Sequence, residues 1–120
     1  TEKFYMLCLD AKSTVIKLVK LSSGIPQEVR VDVRDVVDNA LKYKAVSVVV
    51  AHNHPSGDVS PSVQDVELTR AIAAALQLIK IKLADHYIFS DFGYCSFVED
   101  GVGGQIQQNV NNFLKDGIKY

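Results

Sequence analysis

Seven residues, Ala45 to Ala51, constrain this chain more than any others: AVSVVVA is apolar at every position but one and holds four valines. A side chain branched at Cβ loses rotamer freedom in a helix and packs well on a pleated surface. Such a run, without polar alternation, reads as a central strand buried on both faces. At 120 residues the chain is long enough for one domain around one core, without disulfide staples.

The flanking sequence supplies elements to surround that strand. Phe4 to Asp10 and Thr14 to Leu21 read as strands of a hairpin that turns at Ala11-Lys12-Ser13. Gly24 and Pro26 then break the pattern. Val33, Val36, Val37, Ala40 and Leu41 recur at helical intervals, which predicts a helix over Val33 to Lys44 with Asp32 as N-cap. Asn53 to Pro61 is a loop with two prolines and a glycine. A second helix is expected from Pro61 or Ser62 to Leu78, with the stripe Leu68, Ile72, Ala75, Leu76 and Ile79 facing inward. Extended backwards by threes, the stripe takes in Asp65 and Ser62, which puts a carboxylate and a hydroxyl on the inward face. Lys80 to Ser90 reads as a strand interrupted by Asp85 and His86, Asp91-Phe92-Gly93 as a turn, and Tyr94 to Val98 as a short closing strand. Gln105 to Leu114 is weakly helical. This order of elements indicates an α/β or α+β sandwich with mixed strand directions.

Bulk composition narrows the function classes. The formal net charge is −1 and no stretch concentrates Lys and Arg, so the basic patch expected of a direct nucleic-acid binder is missing from the pattern. Cys8 and Cys95 sit far apart in apolar runs, as buried thiols do, and neither belongs to a Cys-x-x-Cys pair. No apolar run approaches the ~18 residues of a membrane helix, and no signal peptide opens the sequence. A cytoplasmic location is expected. Thr1 stands only a few residues before the first strand, and the chain is expected to be the C-terminal fragment of a longer protein.

The chemistry concentrates where the valine-rich strand ends. His52 and His54 are two apart, so alternation along a strand turns both imidazoles to one side. Asp65 arrives eleven residues after His54 on the inward face of the next helix. Two imidazoles and a carboxylate make a three-ligand set, the number that zinc takes from protein in catalytic sites, with the fourth position left for water. Pro55 and Pro61 stiffen the intervening loop. The plainer alternative makes His52 a strand-end residue and Ser62 with Asp65 a variant of the helix capping box; an inward-facing Asp65 speaks against it.

His-Asn-His-Pro-Ser-Gly at 52 to 57, with Pro61-Ser62, Asp65 and Thr69, closely resembles the RadC family of JAB/MPN-type domains. The JAMM pattern of that larger group, His-x-His, seven residues, Ser, two residues, Asp, fits His52, His54, Ser62 and Asp65 without a gap. The resemblance extends from Glu2 through Asp85-His86 to about Gly101; residues 102–120 match nothing usable. It implies a three-layer-type domain with a mixed sheet flanked by helices, and one Zn2+ held by His52, His54 and Asp65. It also implies that Glu2 takes the proton from the metal-bound water and that Ser62 helps hold a tetrahedral oxyanion. Glu28 and Asp35 are alternatives for the glutamate. Because Pro61 favours the first helical position, Ser60 is expected to cap the helix and leave Ser62 free. Asp85-His86 matches a RadC-like pair, and His86 reads as a buried strand histidine hydrogen-bonded to its neighbours. The letters His-Asn-His do not make an HNH nuclease, whose motif spreads across a hairpin and helix.

Two functions follow from the resemblance. One is a zinc-dependent hydrolase of peptide or isopeptide bonds, with a peptide or protein substrate. The other is a DNA-repair-associated module that binds partners or nucleic acid without hydrolysis. The intact ligand set favours the first, and the near-neutral charge weakens direct DNA binding by this domain.

Overall fold

A computed structural model of the chain describes residues 2–21, 31–101, 104, 108, 111 and 112. The elements run β1 (Phe4–Leu9), β2 (Val15–Lys20), α1 (Val33–Lys42), β3 (Ser47–Asn53), α2 (Val63–Leu78), β4 (Lys82–Ser90) and β5 (Gly93–Ser96). The strands form one sheet in the order β2-β1-β3-β4-β5. Neighbours are antiparallel except β3 and β4, which are parallel. The mixed α+β architecture expected from the sequence is therefore present, and the valine-rich strand is the central one.

Burial on β3 alternates. Val48, Val50 and His52 are buried, whereas Ser47, Val49, Ala51 and Asn53 are half-buried. The expectation of a strand buried on both faces is corrected by where the helices sit. Phe4, Met6 and Cys8 lie opposite His52, Val50 and Val48 across the β1–β3 pair, on one face of the sheet. Val36 and Ala40 of α1 and Ile72 and Leu76 of α2 complete one core cluster on that same face, and Ala73, Ile88, Cys95 and Phe97 form a second. Both described helices thus form one layer against one side of the sheet, and valine's β-propensity, rather than two-sided burial, accounts for the run. Of the three-layer-type arrangement, two layers belong to the described residues. Of residues 105–114, those described (108, 111 and 112) are helical; the remainder of that stretch, like Gly24, Pro26 and Glu28, lies outside the described residues.

Two boundaries differ from the sequence reading for physical reasons. The inward stripe of α2 is Thr69, Ile72, Ala73 and Leu76, while Ala75 is half-buried and Ile79 is 39% exposed. Ile79 is the C-cap, so a periodicity extended to it runs past the end of the helix. β4 is continuous through Asp85 and His86, but its pairing with β3 shifts between Val48 and Val49, so that Val48 lies opposite Leu83 and Val49 opposite Asp85. The extra residue rephases the strand, as bulges do. Leu83 and His86, three apart, both reach the helical side, which is why the alternation looks broken in the sequence. Cys8 and Cys95 are free, buried thiols, and among the described residues no helix is long and apolar enough to cross a membrane.

The corrected stripe is directly testable. Leu76 is fully buried, so Leu76→Ala is expected to destabilise the domain by ~2–5 kcal/mol in urea unfolding. Ile79→Ala should cost less than ~1 kcal/mol, as an exposed substitution does; equal losses would contradict the packing.

Candidate metal centre

Parallel pairing of β3 with β4 requires a crossover connection, and α2 is that crossover. The helix therefore begins beside the C-terminal end of β3, where His52 and His54 stand. His52 is on the helical face, with its ring stacked on Phe4 at 5.3 Å between centroids and 7° between planes. His54 follows one alternation later, its N–H donating to the Phe89 carbonyl to prolong the β3–β4 ladder. The loop then tightens: Gly57 N–H donates to the His54 carbonyl at 3.0 Å, with Pro55 second in the turn. Gly57 has φ +90°, and a Cβ there would sit 3.3 Å from Phe92. Glycine suits both constraints.

The three predicted ligands converge. His52 Nε2 lies 3.2 Å from Asp65 Oδ1, His54 Nε2 lies 3.1 Å from Asp65 Oδ2, and the two imidazole Nε2 atoms are 3.0 Å apart. His54 Nδ1 is 2.8 Å from the Asp58 carbonyl oxygen, which can only accept. That nitrogen therefore carries the proton, and in the neutral ring Nε2 presents a lone pair inward. A carboxylate and imidazole lone pairs meeting at one point repel one another unless a cation lies among them. The donor set of borderline imidazoles and a carboxylate suits zinc. Ligands of a tetrahedral zinc lie about 3.3–3.6 Å apart, so the observed spacing needs only slight spreading. The group is one that could hold a metal ion.

A family model described as a RadC-like JAB domain matches residues 1–102. The chain belongs to the RadC family of JAB domains. It is similar to curated proteins named UPF0758 protein: 41% identical over 101 residues to one from Pelobacter propionicus, covering 84% of this chain and 44% of the relative. Against one from Porphyromonas gingivalis it is 38% identical over 102 residues, covering 84% and 45%. Against one from Acinetobacter baumannii it is 42% identical over 98 residues, covering 82% and 42%. The RadC-family chain thus spans less than half the length of these relatives.

Within this RadC-family site, Ser62 departs from the sequence reading. Ser62, not Ser60, is the N-cap: its Oγ accepts from Asp65 N–H at 3.0 Å, and Asp65 Oδ2 accepts from Ser62 N–H at 2.9 Å. Two reciprocal bonds outweigh the preference of Pro61 for the first helical turn, and Ser62 is exposed rather than inward. The cap uses a lone pair of Ser62 and leaves its hydroxyl proton to donate elsewhere. The same bonds aim Asp65. Burial pushes its carboxyl up, yet the adjoining His52 imidazole and the hydrogen bond from the Ser62 backbone hold it well below the ordinary carboxylate value.

Glu2 lines a cleft of about 700 Å³ together with Val31, His54, Ser62, Asp65 and Leu68. Phe4 pairs with His52, and Asn53 N–H donates to the Lys3 carbonyl, so the same register carries Glu2 opposite His54. Asp35 is exposed in the first turn of α1 and is not among the cleft residues. Asp85 is taken up by structure: its carboxylate accepts from the Ser96 hydroxyl and from the backbone N–H groups of His86 and Val98. His86 is buried, as expected, but its partner is His52, with Nε2 2.7 Å from His52 Nδ1. Sequence reasoning missed that contact and left Thr69 without a role; both depend on the β3–β4 register, and the resemblance to the RadC pattern at Thr69 and Asp85-His86 was the available signal.

Burial above all, with the neighbouring imidazoles and against the opposing pull of the Asp65 carboxylate, lowers the His86 pKa from 6.5 to about 3. Between those values the unfolded chain binds a proton that the native chain does not, so stability is full above pH 6.5 and falls on acidification. The metal-free domain should show a lower urea midpoint at pH 5 than at pH 7, with a shallower fall in His86→Gln. Equal midpoints for the wild type would contradict the buried neutral ring.

Proposed function

We propose that this RadC-family domain is a zinc-dependent hydrolase of peptide or isopeptide bonds. One observation carries the reading: of the group His52, His54 and Asp65, which could hold a metal ion, His54 and Asp65 line a cleft that Glu2 and Ser62 also line. When bound, zinc would lower the pKa of a water and polarise a carbonyl. Glu2, across from His54, takes the proton of the attacking water and returns it to the leaving amine. Ser62 donates its remaining O–H to the developing oxyanion, its orientation fixed by the cap. Val31 and Leu68 give the cleft an apolar wall against which a peptide side chain can pack. Buried free thiols are in keeping with a reducing cytoplasm.

Purified protein rebinds about one zinc per chain at neutral pH on this account, the stoichiometry of a single three-ligand site. His54→Ala and Asp65→Ala lose the metal. Glu2→Gln keeps it and loses ~10²–10⁴-fold in turnover of a peptide-library substrate, the range for general-base catalysis. Metal analysis and cleavage rates on a longer chain that extends ahead of Thr1 decide the matter. Failure to rebind zinc removes the metal reading, and full activity in Glu2→Gln removes Glu2 as the base.

A further inference from the structure

Behind the His52 ring lies a hydrogen-bonded chain with no direct part in the chemistry above. Thr69 Oγ1 is 2.6 Å from the Asp65 carbonyl oxygen, which can only accept, so the single hydroxyl proton points there. His86 Nδ1, on the other side of Oγ1, must then donate to it. His86 is 1% exposed, and among the described residues no carboxylate oxygen is placed within contact distance of its ring. A doubly protonated ring there would be an unpaired buried cation, which is strongly disfavoured. His86 Nε2 therefore offers a lone pair, and His52 Nδ1, 2.7 Å away, must donate into it. The direction of every bond follows from one backbone carbonyl. Its result is that His52 turns an unprotonated Nε2 toward His54 and Asp65.

The rings are also held in plane. His52 stacks on Phe4, and His86 stacks on Phe97 at 4.5 Å and 17°. The register shift at Asp85 is what brings His86 to this side of the sheet at all.

We infer that Thr69 and His86 are positioning residues that set the tautomer and orientation of His52 for metal binding. The inference rests on the metal reading of the site and adds to it. Partners of this kind typically account for 10–100-fold in metal affinity. The chain begins on Asp65 and ends on His52: the carbonyl of one proposed ligand residue orients a hydroxyl, which through His86 orients the ring of a second. A change of one methyl group for one hydroxyl at Thr69 should thus be felt at a metal that Thr69 never touches.

Imidazole 15N shifts of the metal-free wild type at neutral pH give the first readout. The chain predicts protonated Nδ1 and bare Nε2 for His52, and the opposite tautomer overturns the inference whatever the variants do. Zinc affinity by chelator competition gives the second. Thr69→Val should bind zinc about 10–100-fold more weakly and release the His52 tautomer, while Thr69→Ser, which keeps the hydroxyl, restores both. His86→Leu should weaken zinc similarly, and His86→Gln, which keeps an acceptor toward His52, less so. Urea midpoints of the metal-free variants separate these effects from misfolding. Wild-type affinity and tautomer in Thr69→Val overturn the inference with the metal site intact. A wild type that binds no zinc, yet holds His52 protonated at Nδ1, overturns the metal reading instead.

Discussion

The pairing of β3 with β4 in parallel is the constraint on which the remainder of the molecule depends. Two adjacent parallel strands cannot be joined by a hairpin, so the chain must leave the end of β3, cross the sheet and return. α2 makes that crossing, and its first turn lands beside the residues that end β3. An Asp at the third helical position then faces two histidines with no further design. The positive end of the helix favours a carboxylate there independently, and the reciprocal bonds between Ser62 and Asp65 hold its oxygens in place.

The site can be understood as an excess of acceptors kept together by the fold. The Asp58 carbonyl turns one ring of the triad and the Thr69–His86 chain turns the other. Each imidazole has its second nitrogen committed to an acceptor, so both are left to present lone pairs inward. Such an arrangement is poorly stable by itself, and a cation among the acceptors would relieve the repulsion. Orientation of ligands by groups one layer further out is common to metal sites; here that outer layer comes from the loop after β3 with Asp58, from α2 with Thr69 and from β4 with His86.

Much of this was legible in the sequence, and the reason differs by residue. His52 and His54 could be placed on one side because strand alternation is a local rule, and Asp65 could be placed inward because helical periodicity is another. The mixed sheet followed from the element order. Three features were not local. The burial of β3 on one face depends on where both helices dock, which no periodicity records. The cap at Ser62 was decided by a reciprocal pair of bonds rather than by the preference of Pro61. The contact of His86 with His52 needs both the parallel register and the shift at Asp85, and a strand that skips a residue looks, in sequence, like a strand that stops.

The central claim is that His52, His54 and Asp65 together hold a metal ion, and the coordination shell of bound zinc tests it most directly. X-ray absorption of the zinc-loaded domain should show a first shell of nitrogen and oxygen at about 2.0–2.2 Å with two imidazoles in the outer-shell scattering. Changing His54→Ala should remove one of them or the metal altogether. A shell containing sulfur at about 2.3 Å, or one without imidazole that survives His54→Ala, would place the metal elsewhere and contradict the account.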